Sequence, residues 1–398
     1  MRALSPAAVI ILAGGLVIAA SFGARSVFGI VLDPISAEYG WPREVFSLSI
    51  AIQNLVWGLS QPVFGRIADR FGDRRALTLG FALYVAGMLV SAFATTPMAQ
   101  HLGAGVLVGL GISGTGFGIV LSLVGRATPE ARRSGAMGAA AAIGSGGQMV
   151  MPLVAGTLTE AFGWQVAMLA IAGMLLPMLL CIPLLKPKAQ PYDADDPEIP
   201  LGRLLSGAFR QPSYLLLTMG FFVCGFHVGF LTAHLPPYVA EVCGSVTLGA
   251  ATLSIIGCAN VAGTYFFGRL GGIVPKPFVL SGIYAGRVVV ILAFLAIPPT
   301  PVTVIAFSLV MGLFWLPTVP LTSALVASIF GARNLGMLYG FVFLSHQVGA
   351  FLGVWMGGRI YDRFGNYDMM WWISIALGVF SAIVHLPVRE TRVRLAAA

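Results

Sequence analysis

Charged residues are scarce in this chain. Asp, Glu, Lys and Arg together make up 10% of the 398 residues, whereas apolar residues make up 58%. Soluble domains carry about a quarter charged residues. With a mean hydropathy of +0.90, the chain has too little polar surface to stay dissolved in water. The composition therefore excludes an ordinary soluble protein and favours one embedded in a lipid bilayer.

The sequence also lacks the motifs of chemical catalysis. It has no nucleophile elbow, no phosphate-binding loop and no set of His and Cys residues with metal-ligand spacing. We therefore predict that the protein is not an enzyme and has no cofactor or metal site. The cysteines lie in or beside apolar runs, and we interpret them as small packing residues: Cys181, Cys224, Cys243 and Cys258.

Twelve apolar runs are long enough to cross a bilayer, which needs about 20 residues. We expect helices, because backbone exposed to lipid must satisfy its own hydrogen bonds. The first run begins like a signal peptide but stays apolar to Leu32, so we interpret it as a span. The predicted spans are about 7–32, 45–67, 76–96, 99–124, 134–158, 164–185, 213–239, 247–268, 277–298, 301–326, 334–357 and 369–387.

Positive charge is distributed unevenly between the ends of these spans. With the N-terminus inside, most of the 23 Lys and Arg residues fall on the cytoplasmic side. The positive-inside rule then accounts for the net charge of +8 without a nucleic-acid partner. We predict a multi-pass protein of the cytoplasmic (inner) membrane, with both termini in the cytoplasm and membrane lipid around it.

The longest polar stretch separates two sets of six spans. We predict an N-terminal six-helix half at 1–185, a cytoplasmic linker at 186–212, a C-terminal six-helix half at 213–388 and a cytoplasmic tail at 389–398. We also expect the adjacent prolines Pro236 and Pro237 to break the seventh span near its outer end.

An eight-residue pattern recurs within each half. GRIADRFG begins at Gly65, GTLTEAFG at Gly156 and GRIYDRFG at Gly358, and a weaker copy begins at Gly268. The copies end spans 2, 5, 8 and 11, which face alternate sides of the membrane. Each half is therefore predicted to be a three-helix unit followed by the same unit inverted, an arrangement of secondary transporters with a substrate site near the bilayer midplane.

The stretch GRIADRFGDRRAL, Gly65–Leu77, closely resembles the signature of the major facilitator superfamily. That resemblance implies an all-α membrane fold of twelve helices and a gate in which Asp69 docks on a helix end of the opposite half. The residues that it assigns to gating are Gly65, Asp69, Arg70 and Arg74, with Asp362 and Arg363 in the copy on the other side. For Arg74, the positive-inside rule alone is an equally good explanation.

Within the superfamily, the chain is most similar to monocarboxylate porters and oxalate–formate exchangers. The similar stretches are ARSVFGIVLDPI (24–35), GSGGQMVMPLVAG (144–156), LSIIGCANVAG (253–263) and LYGFVFLSHQVGAFLG (338–353). One departure matters. The animal porters carry an Asp and, four residues later, an Arg on helix eight, where this chain has Asn260 and Thr264. Any proton coupling must therefore use other groups.

No acidic residue lies deep in a predicted span, but several basic groups do. Ionisable groups at membrane depth are costly and are functional candidates by default. The candidates are Arg25, Arg287, His227, His234 and His346. Unpaired positive charge suits a carboxylate, which Arg can bind with two parallel hydrogen bonds. Arg25 is the first choice as anion ligand; snorkelling to the headgroups is its alternative. Arg287 is left open between a ligand and a structural brace.

Histidine titrates near neutrality and can carry a coupling proton where no acid exists. We assign that role to His227, His346 and His234, and the first two are also candidates for substrate binding. Packing through a hydrogen bond is the alternative for each. The remaining substrate-binding candidates are polar residues of the spans: Gln148, Asn260, Asn54 and Gln347.

The sequence as a whole predicts a monomeric carrier that moves a small carboxylate anion by alternating access, together with protons. Exchange of one carboxylate for another is an alternative, and so is drug or metabolite efflux. A sensor built on the same fold would usually add a soluble domain, and the polar linker is too short to be one.

Overall fold

The computed structural model describes residues 5–41, 43–185, 200–331 and 335–393, and within them it contains helices but no strand. Twelve long helices account for most of these residues. They are α1 Pro6–Tyr39, α2 Arg43–Phe71, α3 Asp73–Ala92, α4 Pro97–Arg126, α5 Glu130–Phe162, α6 Trp164–Leu184, α7 Pro212–Cys243, α8 Val246–Leu270, α9 Lys276–Ala296, α10 Pro301–Phe330, α11 Leu335–Phe364 and α12 Asp368–His385.

Eleven helices are long and apolar enough to cross a membrane. The remaining one is α2, which is 29 residues long but less apolar than the others. Its polarity comes from buried amides, Gln53 and Gln61, and from charged residues in its last turns. Because it packs against α4 in its own half and α11 in the other, α2 presents much of its surface to protein rather than lipid.

One expectation about a helix end is corrected by the structure. Pro236 and Pro237 do not break the seventh span, since α7 continues to Cys243. A proline close to a helix end removes few hydrogen bonds, and neighbouring helices can satisfy the freed carbonyl groups. Part of the predicted linker is also helical: a short linker helix runs from Leu201 to Phe209. Residues 186–199 lie outside the described part.

The recurring sequence pattern has a structural counterpart. Helices α2, α5 and α11 each end at the Phe of a copy, and the following glycine has a positive φ: 94° at Gly72, 86° at Gly163 and 69° at Gly365. Side chains other than glycine rarely adopt this backbone conformation. The pattern therefore fixes where a helix stops and turns into the next one.

Two seams join the halves. In the first, α2 packs on α11, and in the second α5 packs on α8. Both depend on glycine, because a Cβ on Gly65 would overlap the backbone of Gly336, and a Cβ on Gly138 would lie 2.7 Å from the Cα of Gly268. Small residues at these crossings let the backbones approach closely.

Hydrogen bonds across the seams run from one end of the bundle to its middle. At that end, which we call the latch end, Asp69 contacts the backbone of α11 and Ser134 Oγ donates to Gly268 O over 2.8 Å. Near the middle, Asn260 Nδ2 donates to Ser145 Oγ over 2.9 Å. The halves are thus closed together from the latch end to the centre.

Replacing Gly225 with alanine is expected to lower the melting temperature of the purified protein. A Cβ there would overlap the carbonyl of His346, so α7 and α11 would have to separate. Overpacking typically costs about 1–3 kcal/mol. Gly173→Ala on α6 is the matched control, since its Cβ would meet nothing within 4 Å. Equal melting temperatures for the two variants would contradict this account of the α7–α11 contact.

Candidate functional site

Arg25 lies on α1 and is held from the side by α2. Its Nε donates to Gln53 Oε1 over 3.2 Å, and its Nη2 donates to Asn54 Oδ1 over 2.6 Å. The guanidinium carbon also lies 5.2 Å from the ring centroid of Trp57. Amide oxygens orient the fork without cancelling its charge, and the side chain is only partly buried. Arg25 is therefore a fixed positive group that an anion can approach.

Gln53 connects this arginine to the rest of the N-terminal half. Its Nε2 donates to Ala104 O over 2.8 Å. Ala104 lies in a π-helical segment of α4, His101–Leu107. Such segments are rare and occur often at functional sites. The amide of Gln53 is thus satisfied on both sides, so Arg25 is held in one orientation.

Helix α11 brings the C-terminal half to the same place. Gln347 Nε2 donates to Asn54 O over 3.2 Å, and Trp57 packs on Phe343 with ring centroids 4.7 Å apart. The structure therefore brings together three of the predicted substrate-binding residues, Arg25, Asn54 and Gln347. They lie on both sides of the seam between the halves, and we call them the central site.

His346 adjoins the central site through its neighbour in sequence. Its Nδ1 lies 3.0 Å from Gln347 Oε1, and since an amide oxygen can only accept, Nδ1 is the donor. The ring is stacked on Phe343 with centroids 5.2 Å apart and is 6% exposed. Its Nε2 has no hydrogen-bond partner among the described residues.

Arg287 is not part of the central site. It is 1% exposed on α9, and it donates from Nε to Phe314 O over 2.9 Å and from Nη2 to Trp315 O over 2.5 Å. These carbonyls belong to a break in α10, whose first segment ends at Leu313 and whose second begins at Thr318. The last carbonyls of a helix lack partners within it. Arg287 supplies donors to them, as the brace interpretation requires.

Asn260, on α8, hydrogen-bonds to the backbone at the same break in α10. Its Oδ1 accepts from Leu316 N and from Thr264 Oγ1, both over 2.9 Å, while its Nδ2 donates to Ser145 on α5. The side chain is fully buried and its hydrogen-bonding groups are engaged. Gln148 lies about one turn beyond Ser145 and is partly exposed. Of these two substrate-binding candidates, Gln148 is the one left accessible.

The two remaining histidine candidates contact α11 and α12 rather than α1 or α2. His227 Nε2 lies 2.8 Å from Ser374 O, and its ring is 1% exposed. His234 engages both ring nitrogens, with Val354 O at 2.8 Å and the hydroxyl of Tyr367 at 3.2 Å. The structure thus places both away from the central site, in contacts that suit neutral, packed rings.

A latch closes the bundle at the end where the Gly65 motif lies. The carboxylate of Asp69 accepts hydrogen bonds from Met337 N over 3.0 Å and from Gly336 N over 3.4 Å. These amides open α11, and a helix N-terminus favours a negative charge. Arg126 at the end of α4 binds the same carboxylate over 3.1 Å and also pairs with Asp73. The carboxylate is 2% exposed, so this contact is shielded from water.

The other residues predicted to form the gates lie in different surroundings from Asp69. Gly65 lies against the backbone of Gly336. Arg74 Nη2 donates to Pro183 O over 2.5 Å, which is a contact inside the N-terminal half. Arg70 and Arg363 are exposed, each beside the phenylalanine that follows it in sequence. The side chain of Asp362 lies outside the described part of the structure.

Two residues of the latch were missed by sequence reasoning. Arg126 was counted only as one more cytoplasmic charge, and Gly336 was not singled out. The separations in sequence explain the omission: Arg126 is far from Asp69 along the chain, and Gly336 lies in the other half. The only signal was a basic residue ending the fourth apolar run.

Comparison with known proteins establishes the family. The sequence profile of the Major Facilitator Superfamily matches residues 14–317 and 245–397, well over half of the chain. The chain belongs to the major facilitator superfamily. The relatives and the solved structures to which it is similar are transporters rather than enzymes, as predicted.

Proteins with similar sequences align with most of this chain. Monocarboxylate transporter 13 of Bos taurus is 27% identical over 355 residues, which cover 87% of this chain and 80% of the bovine protein. YcxA, an uncharacterized MFS-type transporter of Bacillus subtilis, is 24% identical over 378 residues, covering 91% and 90%. The resemblance to monocarboxylate porters is thus confirmed at low identity.

Solved structures confirm the twelve-helix fold of this superfamily. The fucose:proton symporter FucP of Escherichia coli superposes with a TM-score of 0.72 at 16% identity, covering 94% of this chain and 97% of that one. The human organic anion transporter MFSD10 gives 0.73 at 16% identity, covering 94% and 98%. At these identities the likeness concerns the fold alone. In such folds the substrate site lies between the halves, where the central site is found.

Proposed function

We propose that the protein is a secondary active transporter that moves a small organic anion, a monocarboxylate, together with a proton. The observation that carries this proposal is Arg25, a partly buried arginine whose guanidinium is held by amide oxygens at the seam between the halves. A carboxylate is the complementary ligand, because it accepts two parallel hydrogen bonds from the arginine fork. The names of the monocarboxylate transporters among the relatives agree with this substrate class.

Asn54 and Gln347 are proposed to complete the binding site from the two halves. The side-chain amide of Gln347 donates to the backbone carbonyl of Asn54, so an anion on Arg25 would lie beside both sides of the seam. Alternating access requires a ligand that interacts differently with the open and closed arrangements. Substrate bound across the seam satisfies that requirement, since the contacts from α11 are made and lost as the halves move.

The latch end is proposed to face the cytoplasm. Most arginines and lysines outside the spans lie at this end, as the positive-inside rule requires of a cytoplasmic face. Because the latch is closed, the arrangement described here corresponds to a carrier that receives substrate from the outer side. In that orientation the two termini and the linker at 186–212 lie in the cytoplasm, and the spans lie in the inner membrane of the cell.

Protons are proposed to accompany the anion, with His346 as the group that exchanges them with the central site. This ring alone among the predicted histidines joins the central site, through Gln347, and has its Nε2 without a partner. His227 and His234 are then packing residues, and Arg287 and Asn260 brace the break in α10. The functional unit is a monomer, because each chain contains both halves of the seam.

Labelled lactate or pyruvate is expected to enter proteoliposomes in a saturable way, and an inward proton gradient should increase its accumulation. The anion carries one negative charge and the proton neutralises it, so the gradient drives uptake. Uptake is measured with and without the pH difference, in empty vesicles and in vesicles preloaded with unlabelled acid. Protein-free vesicles and an Arg25→Ala variant serve as controls. Absence of saturable uptake for any small carboxylate would contradict the substrate class.

Carboxylate exchange is the second candidate, and the observation that favours it is the absence of an acid–arginine pair on α8, where Asn260 and Thr264 stand. Exchange predicts uptake only into preloaded vesicles. Efflux of drugs predicts transport that is unaffected by Arg25→Ala. The same vesicle experiment therefore separates the three modes.

A further inference from the structure

Arg287 is a buried positive charge with no acid beside it. Its Nε and Nη2 reach backbone carbonyls, and its Nη1 has no partner among the described residues. Carbonyl dipoles orient the guanidinium but leave its net charge in place. The acids from residue 201 onward all stand at helix ends or beyond them: Glu241, Asp362, Asp368 and Glu390. A charge at membrane depth is costly, so a group that can supply a counter-charge is expected beside Arg287.

The thiol of Cys224 is the ionisable group in contact with this arginine. Its Sγ lies 3.5 Å from Arg287 Nη2 and 3.1 Å from Thr318 Oγ1, and the residue is fully buried. The sulfur accepts a hydrogen bond from the guanidinium and has the Thr318 hydroxyl beside it, so it is the group in contact with Arg287 that can carry a compensating negative charge. Arginine cannot give up its proton in a protein. In the pair, therefore, only the sulfur can change its protonation state.

His346 lies between this pair and the central site. Its carbonyl oxygen would overlap a Cβ on Gly225, the residue that follows Cys224, and its Nδ1 bonds to Gln347 on the other side. Phe221 and Phe343 flank the ring, at centroid distances of 4.9 and 5.2 Å. Nε2 is buried and has no hydrogen-bond partner among the described residues. Contacts thus run from Arg25 to the side chain of Asn54, from the Asn54 carbonyl to Gln347 and from Gln347 to His346, whose helix packs on α7 beside Cys224.

We propose that Cys224 and Arg287 form the proton-binding pair of this transporter, with His346 relaying the proton between the pair and the central site. The inference rests on the proposed proton symport and names its proton acceptor. In the transfer, the N–H bond at His346 Nε2 breaks and an S–H bond forms at Cys224. The imidazolium becomes neutral imidazole, and the thiolate becomes a thiol. Reversal of the step returns the proton when the opposite side of the carrier opens.

Other titratable groups around the sulfur are arranged differently. They are Tyr284 on α9, Tyr339 on α11, His227 on α7 and His385 on α12. The two histidines each bond a backbone carbonyl, Ser374 O and Ser381 O respectively. None of these groups hydrogen-bonds the guanidinium, whereas Sγ does. The pair is therefore Cys224 with Arg287 rather than a broader network.

A spectroscopic experiment tests the pair without any transport. The protein is purified with Cys181, Cys243 and Cys258 changed to serine, so that Cys224 is its one cysteine. Ultraviolet thiolate absorbance is expected at neutral pH, and it should disappear in Cys224→Ser and in Arg287→Gln. Melting temperatures confirm that each variant is folded. Absence of the thiolate signal in the single-cysteine protein, or its persistence in Arg287→Gln, would overturn the proposal.

Proton-coupled uptake tests the role of the pair. Cys224→Ser keeps a hydroxyl that can hydrogen-bond but does not titrate, so accumulation driven by a pH gradient should fall to the level without a gradient. Exchange of internal for external acid needs no net proton movement and should therefore fall less than gradient-driven accumulation. Cys224→Asp restores a titratable partner for Arg287 and should restore gradient-driven accumulation. Cys258→Ser, an exposed thiol on α8, is the matched control and should behave as the wild type.

The two proposals fail in distinguishable ways. If the wild type transports no carboxylate, the proposed function is wrong, and the thiolate absorbance still decides whether the pair exists. If the wild type accumulates carboxylate with protons and Cys224→Ser does so equally well, the function stands and the proton-binding role of Cys224 is wrong. A small anion bound at Arg287 Nη1 instead of a thiolate would leave the absorbance signal absent and would also overturn the pair.

Discussion

Arg25→Ala is expected to reduce kcat/KM for carboxylate uptake by about 10- to 100-fold, since a hydrogen bond to a charged group contributes about 1.5–3 kcal/mol and each 1.4 kcal/mol is a factor of ten. The loss should appear in uptake and in exchange alike, because both need the anion to bind. The measurement is the concentration dependence of initial uptake in proteoliposomes, with protein orientation and amount matched.

Two further variants show whether the fork of Arg25 matters or only its charge. Arg25→Lys keeps the charge but cannot donate to Gln53, Asn54 and a carboxylate at once, so its activity should lie between wild type and Arg25→Ala. Arg359→Ala is the matched control. It is also an arginine beside a tryptophan ring, 5.7 Å from Trp355, but it is exposed on α11. Kinetics of Arg25→Ala that match those of Arg359→Ala would remove Arg25 from the binding site.

The fold could be read from the sequence because it depends on signals that are local. Span length, the glycine of each repeat and the distribution of arginines are all visible along the chain. The positive φ at Gly72, Gly163 and Gly365 gives the repeat its physical meaning, since each copy ends one helix and begins another. The helices extend past the apolar runs at several ends, because polar helical turns continue beyond the bilayer core.

The candidate site could be read only in part, because its arrangement depends on contacts between distant segments. Arg25 was identified from its charge in an apolar run, which is a local signal. The sequence leaves the role of Arg287 open, because the break in α10 to which it donates hydrogen bonds is visible only in the tertiary structure. Trp315 and Pro317 lie in an apolar run, and that run gives no indication of a break. Cys224 was read as a packing residue for the same reason, since nothing in sequence links it to Arg287.

Asp69→Asn is expected to shift the carrier toward the arrangement in which the latch end is open. The carboxylate accepts from Arg126 and from two amides at the start of α11, whereas the amide of asparagine is uncharged and keeps one accepting oxygen, its NH2 group facing N–H donors. Charge-assisted hydrogen bonds are worth about 1.5–3 kcal/mol, so the ratio of open to closed forms should rise by about 10- to 100-fold. Bonds to the α11 backbone exist only while the latch is closed, and therefore the substitution raises the energy of that form alone.

The shift is measurable as a change in the distance between spin labels placed at Arg75 and Ile273, which are exposed at the latch end in opposite halves. Asp73→Asn is the matched control, because Asp73 pairs with Arg126 in its own half and, among the described residues, has no hydrogen bond to α11. Asp362→Asn, at the equivalent position of the repeat that ends α11, is expected to have a smaller effect than Asp69→Asn, because its copy has Tyr367 and Asp368 where the first copy has Arg74 and Arg75. Equal shifts for Asp69→Asn and Asp362→Asn would show that the two ends of the carrier are chemically equivalent, and the assignment of the latch to one of them would be wrong.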